Sequence, residues 1–174
     1  MDDNRSMPEN PAAPVSGPTE DELLLKAYEN SFTGTYRHSL DGKGRLVIPQ
    51  CFREALGTTF CVAPSYNFKS IGLYPNLEWA RVRDQYSKKG SMNPAVVEYL
   101  EMFDALSFRG QELDNQGRLL LPTQMREIML GDEKEAVITG NNRHILVTAK
   151  SRFETKQTNF FANVPSIIEI MGQL

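Results

Sequence analysis

Large apolar residues are nearly absent from the first eighteen positions, where Pro8, Pro11, Pro14 and Pro18 recur among small and charged side chains. Such a segment buries too little surface to offset the entropy of ordering, and the pattern predicts a disordered arm. Thr19 and Glu22 then stand at capping-box spacing ahead of Leu23, Leu24, Leu25 and Tyr28. That predicts a short amphipathic helix to about Asn30, either docked or solvated.

From Phe32 onward the hydrophobic pattern occurs twice. Leu40 to Leu56 aligns with Leu113 to Met129 at an offset of 73, with eight of seventeen positions identical. These are Leu40/Leu113, Asp41/Asp114, Gly44/Gly117, Arg45/Arg118, Leu46/Leu119, Pro49/Pro122, Arg53/Arg126 and Glu54/Glu127. With one residue inserted, Ile71, Leu73 and Trp79 fall opposite Ile145, Val147 and Phe153, so a whole structural unit is duplicated.

Each copy predicts the same elements. An extended run (Phe32 to Ser39; Ala105 to Glu112) enters a turn, and a strand (Leu46 to Ile48; Leu119 to Leu121) is stopped by proline. A short helix follows, with Phe52, Ala55 and Leu56 or Met125, Ile128 and Met129 at helical spacing, ending near Gly57 or Gly131. Two more strands come next: Thr59 to Ala63 with Ser70 to Tyr74, and Ala136 to Thr139 with His144 to Val147. Ser65-Tyr66-Asn67 and Asn141-Asn142 are their turns. Longer helices are predicted at Asn76 to Lys88, from Asn93-Pro94 to about Phe103, at Ser151 to Phe160 and at Pro165 to Met171. So small a sheet per copy gives these helices little to pack on, which points to packing between halves or between subunits. The expected fold class is α+β, a pseudo-twofold repeat with an acidic arm at 1–31, a first unit at 32–104 and a second at 105–174.

Composition narrows the class. The 174 residues are 40% hydrophobic, which suffices for a core, and no run approaches the roughly 18 apolar residues of a membrane span. Residues 1–31 lack the basic start and apolar centre of a signal peptide, so a cytoplasmic location without a membrane partner is expected. Cys51 and Cys61 are too few for a disulfide scaffold and have no nearby histidines to complete a zinc site. Both are expected as buried thiols, with no metal and no cofactor. The net charge of −3 is uneven: residues 1–31 hold seven carboxylates against two cations, a balance of −5, while the remainder stands at +2. Binding to nucleic acid then depends on where the cations sit, not on their sum.

The duplicated turn is the candidate for chemistry. Asp41-Gly42-Lys43-Gly44-Arg45 and Asp114-Asn115-Gln116-Gly117-Arg118 are both Asp-x-x-Gly-Arg. The aspartate can accept from main-chain N–H groups two residues on, and glycine tolerates positive φ, so the arginine is aimed reproducibly. Two outcomes are open. The guanidinium reads a guanine edge or a phosphate through paired hydrogen bonds, or it folds back on its aspartate and staples the turn. Arg37, His38 and Lys43 surround Arg45 in sequence, whereas Gln116 and Glu112 replace Lys43 and Ser39 in the second copy, so the first is expected to bind more strongly.

The run from Phe32 to Pro49, continued by Phe52-Arg53-Glu54-Ala55-Leu56-Gly57, resembles the opening of the MraZ family of bacterial transcriptional regulators. Leu73-Tyr74-Pro75 with Trp79, Ser91-Met92-Asn93-Pro94 and the motif from Asp114 to Pro122 follow in family order, so the resemblance covers roughly residues 32 to 160. It implies two tandem AbrB-like swapped-hairpin units closing into a ring-shaped homo-oligomer. It further implies a nucleoid-associated protein that binds double-stranded DNA at repeated promoter sites ahead of the division and cell-wall gene cluster. Lys43, Arg45 and Arg118 match the family's basic positions, and His38 fits its usual run.

Two other functional classes fit part of the pattern. Two related aspartates suggest an acid dyad, but neither is followed by the hydroxyl residue and glycine of aspartic proteases, and each has an arginine four residues on that holds it ionised. Neither catalysis nor a small-molecule substrate is expected. An oligomeric adaptor, or an antitoxin-like module occupying a partner through its C-terminal helices, remains the alternative.

Overall fold

The computed structural model describes residues 17–89 and 93–173. Most of the arm expected at 1–18, and the Ser91-Met92 pair, lie outside the described residues. Helix α1 (Glu20–Glu29) starts at the anticipated Thr19/Glu22 capping box. The first repeat then supplies β1 (Thr35–Ser39), β2 (Arg45–Val47), α2 (Gln50–Leu56), β3 (Phe60–Pro64), β4 (Ile71–Pro75), α3 (Asn76–Ser87) and α4 (Pro94–Ala105). The second supplies β5 (Phe108–Gln111), β6 (Arg118–Leu120), α5 (Thr123–Met129), β7 (Glu135–Asn141), β8 (His144–Ala149) and α6 (Lys150–Met171).

All strand pairs are antiparallel, and the two repeats interleave. The large sheet runs β1-β7-β8-β4-β3-β5, and β2 pairs with β6 in a separate ribbon. Exchanging each strand for its repeat counterpart (β1 for β5, β3 for β7, β4 for β8) reverses that order onto itself. The registers obey the same operation: Leu46 lies opposite Leu119 in the ribbon, and Gly72 opposite Leu146 in the sheet, each facing its own repeat mate. A pseudo-twofold axis therefore passes through both ladders.

The main core lies between one sheet face and the layer of ribbon, α2 and α5. Leu46, Phe52, Val62 and Leu73 from the first repeat pack with Leu119, Met125, Ile138 and Val147 from the second. Strand β3 is buried throughout because Phe60 and Val62 enter this core while Cys61 and Ala63 face a second cluster with Tyr74 and Phe103. Helices α3 and α4 roof that second cluster with Trp79, Val82, Tyr86 and Tyr99.

Three expectations are corrected. The two final helices are one, α6, which runs through Pro165. Proline there forfeits one N–H and crowds the carbonyl four residues back, a local cost that the helix bears in an exposed segment. Ala105 closes α4 instead of opening an extended run. Cys51 is exposed on α2 with its sulfur 3.2 Å from the Tyr36 hydroxyl, because α2 turns Phe52 and Leu56 inward; only Cys61 is buried. Among the described residues no helix is long and apolar enough to cross a membrane, and no three His, Cys, Asp or Glu side chains gather as a metal site.

Candidate nucleic-acid interface

The two Asp-x-x-Gly-Arg turns are built alike. Asp41 Oδ1 accepts from the backbone N–H of Lys43 (2.9 Å) and of Arg45 (3.0 Å), and its Oδ2 accepts from Arg45 Nε at 2.7 Å. Asp114 takes the same bonds from Gln116 N (2.9 Å), Arg118 N (2.9 Å) and Arg118 Nε (2.7 Å). The N–H of Gly44 reaches the Asp41 carbonyl at 2.9 Å, and Gly117 bonds Asp114 equivalently at 2.8 Å. Both glycines have positive φ, 78° and 73°. Donation from the Arg45 main chain, then its guanidinium, holds Asp41 down at about 2, and Asp114 is lowered for the same reasons.

Of the two outcomes open from sequence, the described conformation is the fold-back. It does not bury the arginines: their side chains are 28% and 25% exposed. Because side chains alternate along a strand, Leu46 and Leu119 point into the core while Arg45, Val47, Arg118 and Leu120 share the ribbon's outer face. The register sets Arg45 against Leu120 and Val47 against Arg118. The two arginines are thus diagonal neighbours, about 7–8 Å apart on such a ladder. Lys43 is exposed at the tip of one turn and Gln116 at the tip of the other.

The remaining expected residues disperse. Arg37 and His38 leave β1 on opposite faces, His38 half-buried on the side of Tyr36. Arg37 Nη1 lies 3.1 Å from Glu154 Oε1 on α6, which ties it to the C-terminal helix and not to Arg45.

Sequence reasoning did not give Arg53 and Arg126 a role. Each leaves the short helix of its own repeat and packs over the turn glycine of the other, Arg126 on Gly44 and Arg53 on Gly117, where a Cβ atom has no room. Arg53 Nε also donates to the Ile48 carbonyl at 2.9 Å. The signal was present in the identity of Arg53/Arg126 within the alignment, but not in which glycine each would meet. These glycines are required twice, for positive φ and for close approach.

A family model described as "MraZ protein, putative antitoxin-like" matches residues 31–101 and 108–166. The proteins named "Transcriptional regulator MraZ" of Moorella thermoacetica and Acetivibrio thermocellus are 34% and 32% identical to the chain, covering 71% and 82% of it and 84% and 98% of their own lengths. That of Desulforamulus reducens is 30% identical over 79% of the chain and 95% of its own length.

Proposed function

The chain belongs to the MraZ family, and on that premise we propose that it regulates transcription by binding double-stranded DNA sequence-specifically through the β2–β6 ribbon. The observation that carries this reading is the shared outer face of Arg45 and Arg118, fixed by two turns of matching hydrogen-bond pattern and backed by core leucines. A two-stranded ribbon fits the major groove of B-DNA, and an arginine there can meet a guanine through two hydrogen bonds. The aspartates set each guanidinium's direction before DNA arrives, which lowers the ordering cost of binding. Lys43 serves as a phosphate contact beside Arg45, while Arg37 and His38 lie farther out. Val47 and Leu120 are the apolar pair available to thymine methyl groups.

In this reading the fold is a pair of AbrB-like swapped-hairpin units fused in one chain, with 32–104 and 105–174 as its two repeats. Copies assemble further, into a ring, through exposed apolar residues such as Phe160, Phe161, Ile168 and Ile170 of α6. A ring presenting many ribbons to spaced promoter repeats, such as those ahead of a division and cell-wall gene cluster, makes later contacts intramolecular and raises avidity. The setting is the nucleoid in the cytoplasm.

The test is binding of the full chain to its own upstream promoter fragment beside an unrelated fragment of equal length. Arg45→Ala is expected to cost about 1–3 kcal/mol per engaged copy and to relax sequence preference. Lys43→Ala is expected to weaken both fragments alike and to flatten the salt dependence by roughly one unit. Equal affinity of the intact chain for the two fragments rejects the proposal. The words "antitoxin-like" in the family description favour a second reading, a partner-binding module; capture of a protein partner by α6 without promoter preference would establish it instead.

A further inference from the structure

One apolar helix and one cationic cleft remain outside the DNA-facing surface. Helix α1 precedes the residues matched by the family, and none of its residues is buried. Leu23, Leu24, Leu25 and Tyr28 are 54%, 69%, 58% and 71% exposed. The helix is nonetheless closed at both ends: Thr19 N donates to Glu22 Oε2 at 2.8 Å, and Asn30 Nδ2 donates to the Lys26 carbonyl at 2.8 Å. Ten residues form only a marginal helix in water, and adjacent exposed leucines call for a cover. Its ionic side chains are Glu20, Asp21, Glu22 and Glu29 against Lys26, so that cover must favour negative charge.

The cleft meets that description. It occupies about 980 Å³ between α3 and α6, over the β4–β8 ladder. Its floor holds Tyr74 stacked on His144, ring centres 4.6 Å apart. The ionic side chains of its lining are Lys69, Arg152 and Lys156, with no carboxylate among the described lining residues. Arg152 is fixed by the carbonyls of Lys69 (2.6 Å) and Met129 (2.8 Å). Lys69 and Lys156 are exposed at the surface.

We propose that this cleft receives α1 from a second copy of the chain, with the acidic side chains on Lys69 and Lys156 and the leucines over the aromatic floor. Within one chain the helix stays off the cleft. Every residue of α1 is exposed in the described conformation, so its leucines rest on no part of their own chain. Donor helix and acceptor cleft are different surfaces, so the contact is head-to-tail, the kind that closes a ring or propagates a chain. The inference rests on the self-assembly proposed above and adds the segment that one subunit lends to the next.

The experiment uses full-length chain, unlabelled and ¹⁵N-labelled, mixed, unfolded and refolded together. Its mass is measured, and a carbodiimide then joins neighbouring amines to carboxylates for mass spectrometry. The expected products join Lys69 or Lys156 to Glu20, Asp21 or Glu29 in mixed-isotope pairs. Leu24→Ser with Tyr28→Ser keeps every charge and is expected to lower their yield about tenfold, since apolar burial is lost. Unchanged yield overturns docking, and cross-links confined to same-isotope pairs overturn the second copy as occupant. An oligomer without α1-to-cleft products overturns this inference alone, whereas a monomeric mass overturns the assembly on which it rests.

Discussion

Asp41 and Asp114 each collect two main-chain N–H bonds and one guanidinium bond from within a single turn. These donors favour the ionised carboxylate, so the pKa of Asp41 falls from its ordinary 3.8 to about 2 on folding. The resulting stabilisation is complete above 3.8 and is lost as pH falls through about 2. His144 shifts in the same direction for a different reason: burial disfavours its charged form and lowers it from 6.5 to about 4. Above 6.5 the ring is neutral folded or unfolded and costs nothing; a penalty on the folded state grows as pH falls from 6.5 to about 4. The urea midpoint is therefore expected to decline in two successive windows, and His144→Gln is expected to remove the upper one only. An upper decline of unchanged size in that variant would acquit His144. At this scale the turn chemistry was legible, because an Asp-x-x-Gly-Arg motif dictates its own bonds. The fate of the guanidinium was not, since fold-back and outward reach satisfy the same five residues. Burial of His144 against Tyr74 could not be read either, because 70 residues separate the two in sequence.

Strands and helices were readable wherever one side is buried and the other wet, as in β2, or where a cap is spelled out, as at Thr19 and Asn93. Proline misled at α6, where an exposed helix absorbs the lost bond. What local pattern could not give is how the elements lock together. The turn before β2 is held under Arg126 of α5, and the turn before β6 under Arg53 of α2. Gly44→Ala should then fail on two counts. A side chain at φ 78° costs about 1–2 kcal/mol, and the added methyl must also expel the Arg126 guanidinium. Denaturant midpoints of Gly44→Ala, Arg126→Ala and the double variant measure the second part directly. The double variant should be less destabilised than the sum of the singles, and strict additivity would dissociate arginine from glycine.

For the whole molecule, duplication was plain from eight identities in seventeen, but the pairing partners were not. Nothing in residues 32–39 says that β1 will pair with β7, a hundred positions on, because ladder register is settled by long-range packing. In the folded chain each repeat's outer strand lies on the other's β3 or β7, and each ribbon strand on its counterpart. Residues 32–104 alone leave β1 and β2 without partners. That fragment is expected to be unfolded by circular dichroism or to pair with a second copy of itself; a folded monomer by light scattering would contradict the interleaving. Perfect symmetry would carry a drawback of its own. A ribbon whose halves match is blind to polarity: turned end for end, it offers a duplex the same contacts. In the proposed binding mode, Lys43 at one tip and Gln116 at the other break that degeneracy, because only the lysine carries a charge to offer a phosphate. If the ribbon reads DNA as proposed, this difference in charge turns a palindromic reader into a signpost, able to face upstream or downstream on sites repeated head to tail.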